Sequence, residues 1–384
     1  MVTQIMHHMK KYLFLFMVTF WGTVFAQQGK VSQQKAKEPT AEELYHKAWD
    51  YLKGEKGLPI DTTRAIEIWE KAAEQGYVEA QVMLGIYYGK ILYLNEEKAA
   101  YWYRKAAEQG DTVAQFQLGS IYEKGKGVVK DNEQAVYWYR LAAEQGYAIA
   151  QAFLGDCYHI GIGVEINFKQ AINWYLKASE QNNAYAFLGL FMIYLDGNGA
   201  DISANDAVKY LTKGAELNNS ACQWLLGYNY YKDVNGLGLP KDGSLAVHWL
   251  EKAVAQDQKD AMVVLADIYD EGELVKRDKH MANELYRKAA ELGDSEAAYK
   301  LATAYGFGDG VKIDKEAAFN WMKKAAEQGY AKAQLDLGYF FATGYACEKD
   351  ENAAGYWWRL VLNNKKASED EREGAQKNID LLDE

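Results

Sequence analysis

The chain has 384 residues, a formal net charge of −11, 49% apolar and 25% charged residues, and only three prolines. That length exceeds the roughly 250–300 residues at which one hydrophobic core stops growing, and scarce proline favours helices, so a folded helical array or several helical domains are expected. The negative charge would repel phosphate backbones and anionic headgroups, which argues against nucleic acid as a partner.

Residues 1–26 read as a secretory signal. Lys10 and Lys11 form a basic start, Tyr12 to Phe25 is an apolar run, and Val24-Phe25-Ala26 supplies the small residues of a cleavage site. The run falls short of the roughly 20 residues a membrane span needs. Removal after Ala26, export to the bacterial periplasm or beyond, and a mature chain without a membrane span are therefore expected. Residues 27–40 are polar, contain Pro39, and read as a flexible leader.

From Ala41 onward the chain repeats itself. The phrase KAAEQG or a close variant occupies Lys71 to Gly76, Lys105 to Gly110, Leu141 to Gly146, Lys288 to Gly293 and Lys324 to Gly329. A second phrase, A-x-x-x-L-G-x-x-Y, starts at Ala80, Ala114 and Ala150, and its first slot continues at Ala186, Cys222, Ala261, Ala297 and Ala333. The successive spacings are 34, 36, 36, 36, 39, 36 and 36 residues. With a degenerate first copy around Leu44 to Tyr51, nine units result: 41–77, 78–111, 112–147, 148–183, 184–219, 220–258, 259–294, 295–330 and 331–366. Residues 367–384 follow as a polar capping helix, with Ala375, Ile379 and Leu382 on one stripe.

Each unit reads as two antiparallel helices. In the first, slots 0, +4, +5 and +8 share a face, as Ala114, Leu118, Gly119 and Tyr122 do. Slot +5 is glycine or alanine in nearly every unit, which lets a neighbouring helix approach. Phe191 departs from this and should widen the fifth unit or turn that surface outward. The second helix has candidate N-caps at Asp61, Asn95, Asp131, Asn167, Ser203, Asp242, Asp278 and Asp314, each four residues before an alanine, with Asp350 one position late. It ends at Gly76, Gly110, Gly146, Gly293 and Gly329, or at Asn182 and Asn218, the residues most tolerant of a left-handed terminus. Trp102, Trp138, Trp174, Trp249 and Trp321 recur at one slot and mark packing. The G-x-G between the helices, as at Gly161 and Gly163 or Gly197 and Gly199, recurs without a preceding strand or a third glycine, so it reads as a turn rather than a phosphate cradle. Unit two keeps only Gly89, and unit six carries three extra residues around Asp233 to Pro240.

These phrases and the 36-residue unit resemble the Sel-one-like repeat family, a relative of the tetratricopeptide repeat, over about residues 41–366. The resemblance implies an all-α solenoid, a right-handed superhelix of nine helix pairs, that works by holding another protein. Some cysteine-rich secreted members bind or hydrolyse β-lactams, and a cell-wall-directed protein acting on peptidoglycan or β-lactam is therefore the alternative. Those members carry regular cysteine pairs. Here Cys157, Cys222 and Cys347 lie in three separate repeats, too far apart for the roughly 7 Å Cα limit of a disulfide, and free thiols are expected.

Catalytic patterns are sparse. No H-E-x-x-H or G-x-S-x-G occurs, and the one S-x-x-K, Ser32 to Lys35, sits in the leader. No cofactor or metal is implied. His46, His248 and His280 fall on separate repeats, while Asp156 and His159 are spaced as a surface pair on one helix.

By resemblance to tetratricopeptide arrays, slots −1, +2, +6 and +9 of the first helices line a concave groove. The groove residues expected to meet a partner are Phe116, Leu188, Trp224 and Tyr299 at slot +2, then Asp156, Met192, Tyr228, Asp267 and Tyr339 at +6. Glu123, His159, Tyr231 and Asp270 follow at +9. Aromatic slots suit apolar or proline-rich segments and acidic slots suit basic ones. The expectation is a monomeric, non-catalytic, exported adaptor for a protein or peptide.

Overall fold

The computed structural model describes residues 38–91, 95–197 and 202–383. The expected export signal, leader residues 27–37 and Gly199 lie outside the described residues. Among the described residues there are nineteen α-helices and no strand. Helices α1 (Ala41–Lys53) and α2 (Thr62–Glu74) form the first pair, α3 (Val78–Ile86) and α4 (Glu96–Glu108) the second, α5 (Thr112–Lys124) and α6 (Asn132–Glu144) the third. Then come α7 (Ala148–Ile160) with α8 (Phe168–Glu180), α9 (Ala184–Leu195) with α10 (Ala204–Glu216), and α11 (Ser220–Tyr231) with α12 (Gly243–Val254). The last three pairs are α13 (Lys259–Glu271) and α14 (Lys279–Glu291), α15 (Ser295–Phe307) and α16 (Lys315–Glu327), and α17 (Ala331–Thr343) and α18 (Glu351–Asn363). Each first helix also packs on the second helix of the preceding unit, and α19 (Glu369–Asp383) covers the final pair.

Helix ends follow the local chemistry. All nine second helices open on a cap whose side chain accepts a hydrogen bond from the N–H three residues on, from Asp61 in α2 to Asp350 in α18. Asp350 does not slip: the buried alanine of α18 is Ala354, four residues on, and Ala353 is only half-buried. At the other end Gly76, at φ 89°, lets its own N–H reach the carbonyl of Ala73 and that of Tyr77 reach Ala72.

Within a pair, the small residue of the first helix meets a large one of the second. A Cβ added at Gly155 would stand 2.6 Å from the Tyr175 ring, and one at Gly119 would stand 2.6 Å from Tyr139. Phe191 is fully buried, so it does not turn outward. Its unit places Leu211 where α8 has Tyr175, and the bulk has moved from the second helix to the first within one core. The G-x-G turn has a packing cause as well. Gly163, at φ 66°, lies against the carbonyl of Asn132 in the preceding unit, where no side chain fits.

Irregular units resolve locally. In unit two a π-helical turn, Tyr87–Ile91, follows α3. In unit six the Asp233 carboxylate accepts from the N–H groups of Leu237 (2.9 Å) and Gly238 (3.0 Å), folding the extra residues so that Leu237 is buried. Cys157 and Cys222 are buried, Cys347 is partly so, and all three are free.

A glutamine relay joins the units. Gln151, buried at slot +1 of α7, donates to the carbonyl of Ala143 in the preceding unit (3.1 Å), and its side-chain oxygen accepts from Gln181 at the end of α8 (2.9 Å). Gln81 with Gln109, Gln115 with Gln145, Gln223 with Gln256 and Gln334 with Asn364 repeat the arrangement. Where slot +1 is Phe187 or Met262, the paired position is Leu217 or Leu292. In these two units both partners change together, as expected when an orphaned buried amide costs more than an apolar pair, while in unit eight, with Ala298 at slot +1, the paired Gln328 is exposed. Gln151→Leu alone should therefore lower stability by about 1–3 kcal/mol, and adding Gln181→Leu should cost less than the sum of the two single changes. Chemical denaturation of the four proteins of this cycle measures it.

Candidate interaction groove

The thirteen residues expected to face a partner separate into three groups. Tyr231 is only 3% exposed and belongs to the core, because its ring lies among the residues of the sixth and seventh units. It is not available as an anchor. A second group is engaged within the chain. Asp267 accepts from the Tyr286 hydroxyl and from the Lys300 ammonium, both at 2.6 Å, and Asp270 pairs with Lys279. These two carboxylates are neutralised from inside rather than free to draw a basic partner. Tyr299 donates to Asp336 (2.9 Å), and Tyr339 donates to Asn378 of the capping helix (3.1 Å).

His159 needs a correction of its own. It is 9% exposed rather than on the surface, and its Nε2 lies 2.6 Å from Asp196 at the end of α9, not against Asp156. Asp156 is occupied otherwise: its carboxylate accepts from the hydroxyls of Tyr175 (2.6 Å) and Tyr185 (3.0 Å).

The third group forms a surface. Trp224 and Tyr228, one turn apart on α11, stack at 10° between ring planes with centroids 6.5 Å apart. Phe116 packs edge-on against Phe153, which stacks on Tyr185 of the following unit. Between α7, α8 and α9 a cavity of about 390 Å³ opens, and Glu123, Asp156, His159, Leu188 and Met192 all line it. Phe153, Tyr175 and Tyr185 complete its walls. Tyr185 occupies slot −1, already a groove slot by resemblance. Tyr175, by contrast, comes from the second helix and is fully buried, with its hydroxyl on Asp156.

The electrostatics follow from burial. Desolvation raises the Asp156 carboxyl above the ordinary aspartate value, offset only partly by the two tyrosine hydroxyls and by His159, while nearby Glu123 adds to the rise. Glu123 is anchored by the Tyr139 hydroxyl at 2.6 Å. Burial also pushes the Cys157 and Cys222 thiols up to about 12, so neither carries thiolate character at neutral pH. Among the described residues no three His, Cys, Asp or Glu side chains converge as metal ligands, and no helix is long and apolar enough to cross a membrane.

The Sel1 repeat profile matches residues 51–77, 78–111, 112–147, 148–183, 183–219, 220–258, 259–294, 295–330 and 331–360, most of the chain. The chain belongs to the Sel1 repeat family. Sel1 repeats generally mediate protein–protein interaction, and their fold is typically a non-catalytic scaffold. A Sel1 repeat protein from Oxalobacter formigenes is similar at 25% identity, over 91% of this chain and 98% of that one, with a TM-score of 0.62. The protective antigen c5321 of uropathogenic Escherichia coli, which displays the same repeat fold, is 27% identical over 89% of this chain and 91% of its own, with a TM-score of 0.50. Cysteine-rich protein B of Helicobacter pylori is 26% identical over 34% of this chain and 91% of that one, but at a TM-score of 0.28 it carries no argument. Among curated proteins none matches.

Because the folded-state pKa of Asp156 lies above its unfolded value, folding favours the neutral carboxyl. Its contribution to the stability of this Sel1 repeat chain is greatest at acid pH and falls as pH rises through the raised value. Asp156→Asn should therefore raise the melting temperature near neutral pH, with the gain shrinking as the pH is lowered and Asp156 itself takes up a proton. Thermal unfolding of both proteins across pH checks the direction.

Proposed function

We propose that this chain is an exported scaffold that holds an extended segment of a partner protein along the concave side of its first helices, between the third and eighth units. The observation that carries this reading is the gathering of non-repeating aromatic and acidic side chains on one helix face. The cavity of α7 to α9 and the stacked Trp224 and Tyr228 of α11 lie in consecutive units. Stacked aromatics bury large area at little entropic cost, and such residues dominate the energetics of protein interfaces.

Residues that repeat are consumed by packing, caps and turns, whereas Glu123, Met192, Trp224 and Tyr228 are not part of the motifs that define a unit, although Trp224 and Tyr228 rest half-buried on the core and Glu123 accepts from Tyr139. Export is supported by the basic and apolar segments before Ala26. Mature protein used as bait in envelope extract should retain specific proteins, and the Trp224→Ala, Tyr228→Ala double variant should hold them at least about ten-fold more weakly. Circular dichroism should show unchanged helix content. Retention unaltered by the double substitution, or retention of purified sacculi in place of proteins, would sink the reading.

A further inference from the structure

The same slots are filled differently at two places in the array. In units seven and eight, Asp267 of α13 accepts from Tyr286 of α14 and from the ammonium of Lys300 on α15, which stands 5.2 Å from the centroid of the Tyr286 ring. Glu296 lies 3.2 Å from that ammonium. Burial works against the charged lysine, yet the hydrogen bond and charge of Asp267, with Glu296, hold its pKa above the ordinary value. This arrangement of carboxylate and tyrosine therefore accommodates a partly buried cation.

In units four and five the corresponding residues are Asp156 on α7, Tyr175 on α8 and Gly189 on α9. Asp156 and Asp267 each stand six residues after the first alanine of their unit, Ala150 and Ala261. Tyr175 and Tyr286 each stand eight after their N-caps, and Gly189 and Lys300 each stand three after Ala186 and Ala297. The carboxylate and the tyrosine are kept while the lysine is gone. Gly189 packs directly on the Tyr175 ring, and beside it lies the 390 Å³ cavity, with Phe153 and Tyr185 as aromatic wall and no lysine or arginine among its lining residues. Glu123 adds a second carboxylate, and the one basic ring in the wall, His159, is engaged by Asp196.

We propose that this cavity receives a lysine side chain from an extended, otherwise apolar segment of a partner protein. Its ammonium pairs with Asp156 beside the exposed Tyr185 ring, as Lys300 pairs with Asp267. The inference rests on the scaffold reading above and narrows it to a partner chemistry. Leu188 and Met192 supply apolar surface for the lysine stem, which suits a side chain that buries its methylenes and pairs its head.

Short fluorescein-labelled peptides, identical but for a central lysine or norleucine in an alanine–leucine background, test this by anisotropy against the mature chain. The lysine peptide should bind at least about ten-fold more tightly. Asp156→Asn should bring the two affinities together, Glu123→Gln should lower the ratio, and Asp206→Asn, a carboxylate on α10 outside the cavity, should leave it unchanged. Equal or absent binding of the two peptides, or a ratio that survives Asp156→Asn, overturns the inference. An Asp156-dependent dimer in sedimentation would also overturn it, by assigning the cavity to a second copy of this chain. A partner retained through Trp224 and Tyr228 yet indifferent to Asp156→Asn would remove the lysine site and leave the scaffold standing. An intact peptide ratio without any retained protein would do the reverse.

Discussion

The contact between a second-helix tyrosine and the glycines of its neighbours sets both the architecture and the site. The Tyr175 ring fills the space left by two absent side chains, since a Cβ at Gly155 would stand 2.6 Å from it and one at Gly189 would stand 2.5 Å from it. That ring therefore determines how closely α7 and α9 approach α8. Its hydroxyl passes between them and ends 2.6 Å from Asp156. One residue thus transmits the packing of the interior to the position of a half-buried carboxylate, and α7, α8 and α9 cannot rearrange without moving that carboxylate. The hydroxyls of Tyr139, packed on Gly119, and of Tyr286 likewise end on carboxylates, Glu123 and Asp267. A repeat protein lacks contacts between distant parts of its chain, so rigidity at a site must come from such nearest-neighbour contacts.

The sequence makes the repeat legible because the physics of a repeat is itself periodic. N-caps, left-handed helix ends and small slots recur at a fixed interval, and Asp350 keeps that interval with the buried Ala354. Events between units are harder to read. The glutamine relay leaves a trace in the exchange of Gln151 and Gln181 for Phe187 and Leu217 one unit later, but that trace appears only when two slots are compared at once. His159 shows the limit more sharply. Spacing on its own helix makes Asp156 the obvious partner, whereas stacking brings Asp196 of the next unit closer, and a one-helix periodicity carries no information about the stacking distance.

The groove was legible as a set of slots and not as a surface. Slot arithmetic places Tyr231 beside Tyr228, yet the second helix of unit six and the packing of the seventh unit bury it. The same arithmetic treats Asp156, Asp267 and Asp270 alike. What separates them is whether a lysine from another position reaches them: Lys300 and Lys279 do so in units seven and eight, and Gly189 cannot in unit five. Available charge is thus a property of neighbouring units taken together.

Two copies of one scaffold have therefore met the same difficulty in opposite ways. A carboxylate held in an apolar wall is disfavoured unless it is paired or protonated. Units seven and eight pair it internally with Lys300, beside a cavity that Tyr286 and Lys300 help to line. Units four and five leave it to two tyrosine hydroxyls, which anchor the group without neutralising it, and keep an open volume beside it. Selection for stability alone would favour a lysine at position 189, if the helices gave way, or an uncharged residue at position 156. Local choices that oppose stability while everything around them is well packed are where binding is to be sought. In this chain such a choice falls at Asp156, where the slot that carries a lysine in unit eight holds a glycine packed on Tyr175.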